Sequence, residues 1–479
     1  MSAMNPTGID LEDVQGNILR GYGARFPLAD YRFYAASTRQ ALQGFLRALM
    51  DDVTSAVPWT RDSVPQSTVN VALTYAGFAA LGMPDELLDR FPAWFRRPAG
   101  TRAGLLGDTG ASAPESWEGP LGTGTAHLLV TSYGQTPAAI AQLRERLSTE
   151  VDRSTGGVVE VHCDQAQQLP KMREHFGYSD GLSQPWIEPM SDGSGGGSQP
   201  RRGGGALQRD GSWRPLKAGE FLLGHLDEDG QVVAAPTPEL VRNGTYVVWR
   251  KLAQDVARFR ATLKAEAERV DLTEEQLAAK VMGRWRDGTA LMLSPQDNGR
   301  RGARFEATYR SNDFHYLPDD PAGHICPLGA HVRRTNPRDA LNPRASTRYG
   351  SALSNRHRII RRGMPYGDLL PEGAENAAGS DESAGHRGLI FVCFQADIAR
   401  QFETIQGQWC VDGNAFGLGS DADWLLAEGR QKLTVQGIPP KFVAAGGPMV
   451  VTRGTEYLFA PGMAALRKLA AGRFGAAAV

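Results

Sequence analysis

The strongest constraint in this sequence is a repeated alternation, in which short runs with the period of a strand are followed by segments with the period of a helix. In the first half, residues 31–35 read as a strand, and Ser37 or Thr38 is placed to cap a helix with Leu42, Phe45, Leu46 and Leu49 on one face. Val69, Val71 and Leu73 alternate as in a half-buried strand, and residues 75–81 read as a helix. A strand at 127–131, a helix at 137–147 that opens on Pro137, and a strand at 158–162 complete this half. The second half repeats the grammar. A strand at 246–249 leads into a helix carrying Leu252, Val256, Phe259 and Leu263, and residues 389–394 form an apolar run suited to a strand buried on both faces. A helix with Ile398, Phe402 and Ile405 follows, then strands at 449–452 and 456–459 and a helix from Ala464. This pattern predicts an α+β protein of two similar halves, with a boundary between residues 200 and 245.

The connectors at 92–124 and 165–219 have no such period and are expected to be irregular. The glycine-rich stretch at 194–205 lacks the preceding strand and following helix of a phosphate-binding loop, so it reads as a flexible surface loop. Lys+Arg 52 against Asp+Glu 53 leaves a net charge of −1, which offers no global field for nucleic acid or anionic membrane. Cys163, Cys326, Cys393 and Cys410 contain no CxxC pair, which argues against a disulfide framework, a zinc ribbon or covalent haem attachment. No run of 18 apolar residues is present to span a bilayer, and the first residues show no basic region followed by an apolar stretch. A cytoplasmic location is the expectation.

Three segments place a functional group in an unusual context. In 174–185, Asp180 lies between Ser179 and Gly181, either as an Asp-Gly turn bonding its own backbone or as an acid held for chemistry. In 324–338, His331 follows Leu328, Gly329 and Ala330 and precedes Arg333, Arg334 and Arg338. It reads either as an ordinary hydrogen-bonded histidine or as an imidazole ligand to iron, with cations near the carboxylates of a porphyrin. In 356–367, Arg361 and Arg362 sit between an apolar pair and a Gly-Met-Pro turn, either as a solvated strand end or with one arginine turned inward.

Taken together, GYSDGLSQP (177–185), CPLGAHVRRTNPR (326–338) and RIIRRGMPYG (358–367) resemble the defining motifs of the dye-decolorizing peroxidases, haem enzymes unrelated in fold to the plant-type peroxidases. The resemblance continues, in order, through DVQGNILRGYG (13–23), GEFLLGHLDEDG (219–230), NGTYVVWRKLAQDVARFR (243–260), GLIFVCFQADIARQFE (388–403) and TEYLFAPGMAALR (455–467), and it is closer to the longer members than to the compact bacterial ones. It implies two ferredoxin-like halves, residues 1–220 with the GxxDG loop and residues 221–479 holding one non-covalent haem b. His331 matches the iron ligand, Asp180 the distal acid and Arg361 the distal arginine, with Arg362 rejected as its neighbour. Leu389 and Phe391 match apolar residues above the haem, Arg338 is assigned to the cofactor, and Asp421 to the acid that hydrogen-bonds the proximal imidazole. Gly363 departs from the compact subgroup, which often carries Asn there.

The chemistry suits these residue types. A carboxylate with a reference pKa near 3.9 stays a competent base in acid where imidazole is protonated. An arginine stabilises negative charge on a departing oxygen. The implied activity is reduction of hydrogen peroxide with oxidation of dyes, phenolics or similar bulky donors, best at acid pH. The rival expectation is a protein that handles haem or its iron, with incidental peroxidase activity.

Overall fold

In the computed structural model, the described residues are 9–188, 202–208, 210, 212–233, 237–296, 312–317, 319–341, 352–371, 386–426 and 431–475. The first half contributes β1 (Leu28–Ala36), α1 (Arg39–Leu49), β2 (Ser67–Leu73), α2 (Tyr75–Ala80), β3 (Leu128–Gly134), α3 (Pro137–Arg153) and β4 (Val158–Gln167). Thr38 and Thr136 cap α1 and α3, their hydroxyls accepting the Ala41 and Ala139 amides at 3.2 Å each. The second half contributes β5 (Thr245–Gln254), α4 (Val256–Arg269), α5 (Glu274–Met282), α6 (His331–Thr335), β6 (Ile360–Arg361), β7 (Met364–Tyr366), β8 (Gly388–Gln395) and the π-type helix α7 (Ala399–Val411). It ends with β9 (Lys432–Val435), β10 (Lys441–Ala444), β11 (Val450–Ala460) and α8 (Met463–Ala470).

The fold is α+β, with helices packed on an antiparallel sheet whose strand order is β4-β1-β3-β2-β11-β5-β8-β6, with β7 also on β8. The strands from each half lie together, and the two groups meet edge to edge where Leu73 of β2 pairs with Phe459 of β11. Alternation along the strands builds a core on each face. Val69, Val71, Tyr246 and Val248 pack with α1 and α8 on one side, while Ala72, Val247, Trp249 and Ile390 pack on the other.

Two elements depart from their sequence reading. β5 runs on to Gln254, so Leu252 belongs to the strand, and α4 starts only after Asp255 caps it by accepting the Arg258 amide at 2.9 Å. The apparent pair of strands near 449–459 is one strand, β11, whose register slips between Thr452 and Gly454. Residue 453 is the extra residue of that bulge, which explains the break in apolar period. The connector at 92–124 holds only short turns of helix between Ala99 and Ser116. Most of the 194–205 loop lies outside the described residues. Among those described, no helix is long and apolar enough to cross a membrane.

Trp249 is fully buried in the sheet centre, touching Phe33 edge-on at a centroid distance of 5.0 Å. Trp249→Ala is expected to lower the unfolding free energy by about 3–5 kcal/mol, measured as a lower denaturant midpoint.

Candidate active site

A cavity of about 280 Å³ opens on the face of the sheet formed by β5, β8 and β11, and is closed by α6, α7 and the loop around residues 174–184. Leu389 and Phe391 reach it from β8, opposite Leu252 and Arg250 of β5 in the ladder. Ile390 and Val392, one position out of phase, are buried in the core behind the sheet.

On one side stands His331, the first residue of α6. Its Nδ1 lies 2.8 Å from Oδ2 of Asp423, which is fully buried and whose Oδ1 accepts the Leu425 amide at 3.0 Å. Burial raises the Asp423 carboxyl, but His331 and Arg334 outweigh it and hold it below its ordinary value. Burial likewise works against the imidazolium, and Asp423 outweighs it, lifting His331 above its ordinary value. A carboxylate at Nδ1 fixes this nitrogen as the N–H donor and leaves Nε2 as the ligating or accepting atom.

This geometry corrects the proximal acid expected at Asp421. Asp421 turns away: its Oδ2 accepts the Thr434 amide at 2.7 Å and its other oxygen pairs with Lys432. The two acids are two residues apart in irregular chain, and no period in the sequence shows which one reaches the histidine. Arg333 and Arg334 also leave the cavity. Arg333 pairs with Asp320 at 3.0 Å, and Arg334 is spent on the carbonyls of Trp409 and Asp421.

Asp180 faces the cavity in the loop between Gly177 (φ 95°) and Gly181 (φ 77°), both in the left-handed region that favours glycine. Its Oδ1 accepts the Gly181 amide at 2.6 Å and Arg361 Nη1 at 2.9 Å. The turn reading and the functional reading of Asp180 are therefore both realised in one residue. Burial raises this carboxyl, but Arg361 overcomes that and holds it below its ordinary 3.8. Arg361 sits on β6 opposite Cys393 of β8. Arg362 takes the other side of the strand, donating to the Asn17 and Ile18 carbonyls at 3.0 Å each. At Gly363 an added Cβ would stand 2.5 Å from the Ile390 carbonyl oxygen, so this backbone has no room for Asn.

The sequence motifs gave no sign of Arg284 and Arg358, which share the cavity wall with Arg338 and Arg361. Arg338 donates to the Asn312 and Phe314 carbonyls at 2.9 Å each and lies 3.8 Å above the Phe314 ring. Burial and the neighbouring Arg338 push Arg284 down to about 10. Burial, then Arg338 and Arg361, push Arg358 down to about 9. Nη2 of Arg358 is buried with no hydrogen-bond partner among the described residues.

The sequence profile described as "Dyp-type peroxidase, C-terminal" matches residues 224–416. The chain is 28% identical to "Peroxidase 2" of Mycetinis scorodonius over 97% of this chain and 88% of that protein. Over nearly its whole length the chain is similar to the dye-decolorizing peroxidases. The solved structure of an ancestral D-type dye decolorizing peroxidase is 26% identical, with a TM-score of 0.78 over 96% of this chain and 98% of its own. A dye-decolorizing peroxidase solved in complex with 2,6-dimethoxyphenol is 24% identical, also with a TM-score of 0.78, over 96% of this chain and all of its own.

The chain is a haem-dependent peroxidase. Its cavity fits such a group on two counts. An imidazole held by a buried carboxylate faces a wall of sheet-borne apolar side chains, and the crowded arginines lack the negative charge that the carboxylates of a porphyrin would bring.

Two predictions follow from this geometry. Arg358→Met is expected to raise the unfolding midpoint of the haem-free protein, because an unmatched buried charge is removed. The same variant should speed haem transfer to excess apomyoglobin at least about tenfold. Asp423→Asn is expected to weaken haem binding about 10- to 100-fold, whereas Asp421→Asn should leave the haem absorbance spectrum unchanged.

Proposed function

We propose that His331 would hold the iron of one non-covalent haem b, and that Asp180 and Arg361 carry out the proton and charge work of hydrogen peroxide reduction. The observation that carries the proposal is the placement of two paired groups in one cavity, His331 with Asp423 and Asp180 with Arg361. Arg338 and Arg358 would hold the carboxylates of the porphyrin, with Leu389 and Phe391 against its distal side. When bound, the haem supplies the electrons that reduce peroxide and recovers them from an organic donor.

The protein's part is to move one proton and to stabilise one charge. Among the described residues Oδ1 of Asp180 carries both of the side chain's hydrogen bonds, so Oδ2 is the oxygen left to handle a proton. Ionised Asp180 takes the proton from one peroxide oxygen and returns it to the other, which departs as water. Arg361 stabilises the negative charge that grows on the departing oxygen and keeps Asp180 ionised between turnovers. Asp423 keeps the Nδ1 proton on His331 and so strengthens its donation through Nε2. Leu389, Phe391 and Leu252 keep the distal space apolar and narrow, which confines the oxidising step to a molecule as small as peroxide.

We assign phenols and dyes as the organic donors, by analogy with the relative solved with 2,6-dimethoxyphenol. The rival reading as a haem carrier gives the Asp180–Arg361 pair no task.

The direct test is the absorbance spectrum of the purified haem-loaded protein before and after one equivalent of hydrogen peroxide. A shift that an added phenol reverses supports the reading, and an unchanged spectrum refutes it. Asp180→Asn and Arg361→Ala are each expected to slow the peroxide step about 10²- to 10³-fold in stopped flow. The pH dependence has a definite sign. Arg361 holds Asp180 below its ordinary value, so the acid limb of the wild-type rate should lie below pH 3.8, and Arg361→Ala should move it upward.

A further inference from the structure

Asp180 and Arg361 lie on different elements, one in an irregular loop and one on a strand of two residues, with 181 positions between them. The salt bridge joining them is half-exposed, and a pair of that kind does not fix its own geometry. Something else must set the gap.

The loop is anchored at both ends. At its start Glu174 accepts the Phe176 and Tyr178 amides at 2.9 Å each and is itself held by Gln254 Nε2 at 2.6 Å, which ties the loop to β5. At its end Gln184 faces the backbone of Arg361. Its Oε1 accepts the Arg361 amide at 3.1 Å and its Nε2 donates to the Arg361 carbonyl at 3.1 Å. The side-chain amide thus imitates a neighbouring strand, exchanging the two bonds that a paired residue would exchange. It does so on the edge of β6 that faces away from β8, holding the Arg361 amide there and sharing the Arg361 carbonyl with Arg362 Nη1, which donates to it at 2.9 Å. Pro185 follows directly and restricts Gln184 to extended backbone, so the side chain is aimed by local sterics rather than by solvent-exposed contacts.

We propose that Gln184 is a positioning residue for peroxide reduction: it clamps the Asp180 loop to the Arg361 backbone and thereby sets how the acid and the arginine meet. The inference rests on the reading of Asp180 and Arg361 given above. Gln184 touches neither peroxide nor haem in this scheme and acts only through Arg361. A glutamine four residues after the acid is consequently tied to the same function as the acid, for a reason of hydrogen-bond geometry.

The test uses the haem-loaded full-length protein. Gln184→Met keeps the volume and removes both hydrogen bonds. The peroxide step is expected to slow about 10- to 100-fold, since a misplacement of roughly 1 Å costs that much. The acid limb should move upward, toward that of Arg361→Ala, while the resting haem spectrum stays that of wild type. In an Arg361→Ala background the same substitution should leave the acid limb where Arg361→Ala puts it, because the effect passes through Arg361. Gln184→Glu, which keeps the acceptor for the Arg361 amide, should retain more of the rate than Gln184→Met. Wild-type rate and acid limb in Gln184→Met, equal losses in the Met and Glu variants, or a shift that adds to that of Arg361→Ala would each overturn the proposal. An unchanged rate in Asp180→Asn would instead overturn the underlying reading of the acid.

Discussion

Strand β8 is the element on which the geometry of the cavity depends. It pairs with β5 from Gly388 to Gln395 on one edge, and with β6 and β7 on the other. Its odd-numbered positions Leu389 and Phe391 line the cavity, while Ile390, Val392 and Phe394 fill the core behind. A slip of one residue would exchange these faces, putting Leu389 and Phe391 into the core and Ile390 and Val392 into the cavity. Burial of Ile390 at 0% and Phe394 at 1% therefore specifies the register, and the same register places Arg361 through its pairing with Cys393. Hydrophobic packing on one side of the sheet thus fixes the polar geometry on the other.

The charges of the cavity form three groups with different work. His331 and Asp423 form a closed unit in which each partner shifts the other toward its charged form. In the second group Arg361 holds Asp180 toward its charged form and donates to its Oδ1. Arg284, Arg338 and Arg358 have no such balance, and burial drives each below its ordinary value. In the proposed function the first two groups carry the chemistry, and Arg338 and Arg358 of the third receive the carboxylates of the porphyrin. A net charge of −1 for the whole chain conceals this local excess of positive charge.

Much of this was legible in the sequence, for reasons that differ by residue. The strands and helices that carry the cavity have clean periods, and Thr38, one of two candidate caps, and Pro137 mark helix starts that are observed. Asp180 and Arg361 were assigned through the resemblance of their motifs, since the residues alone left Asp180 open between a turn and a held acid and did not separate Arg361 from Arg362. What was hidden depends on contacts between distant segments. Asp423 could not be separated from Asp421, because an acid that reaches the histidine and one that reaches Thr434 have the same local context. Leu252 fits a helical period by coincidence, and its pairing with Leu389 on one side and Thr452 on the other keeps it in the strand. Arg358 reads as one more basic residue in RHRIIRR, and nothing local shows that its guanidinium ends buried beside two other arginines.

The tight passage at Gly363 has a consequence for how this enzyme can vary. The Ile390 carbonyl occupies the space of a side chain at that position, so β7 and β8 would have to separate before any other residue could stand there. Separating them would disturb the ladder that holds Leu389, Phe391 and Arg361. A distal amide is therefore out of reach of a single substitution from this sequence, since the first step on that path breaks what it is meant to improve. On the proposed reading this backbone leaves the peroxide step to an acid and an arginine, and variation in that step passes through the residues that position those two.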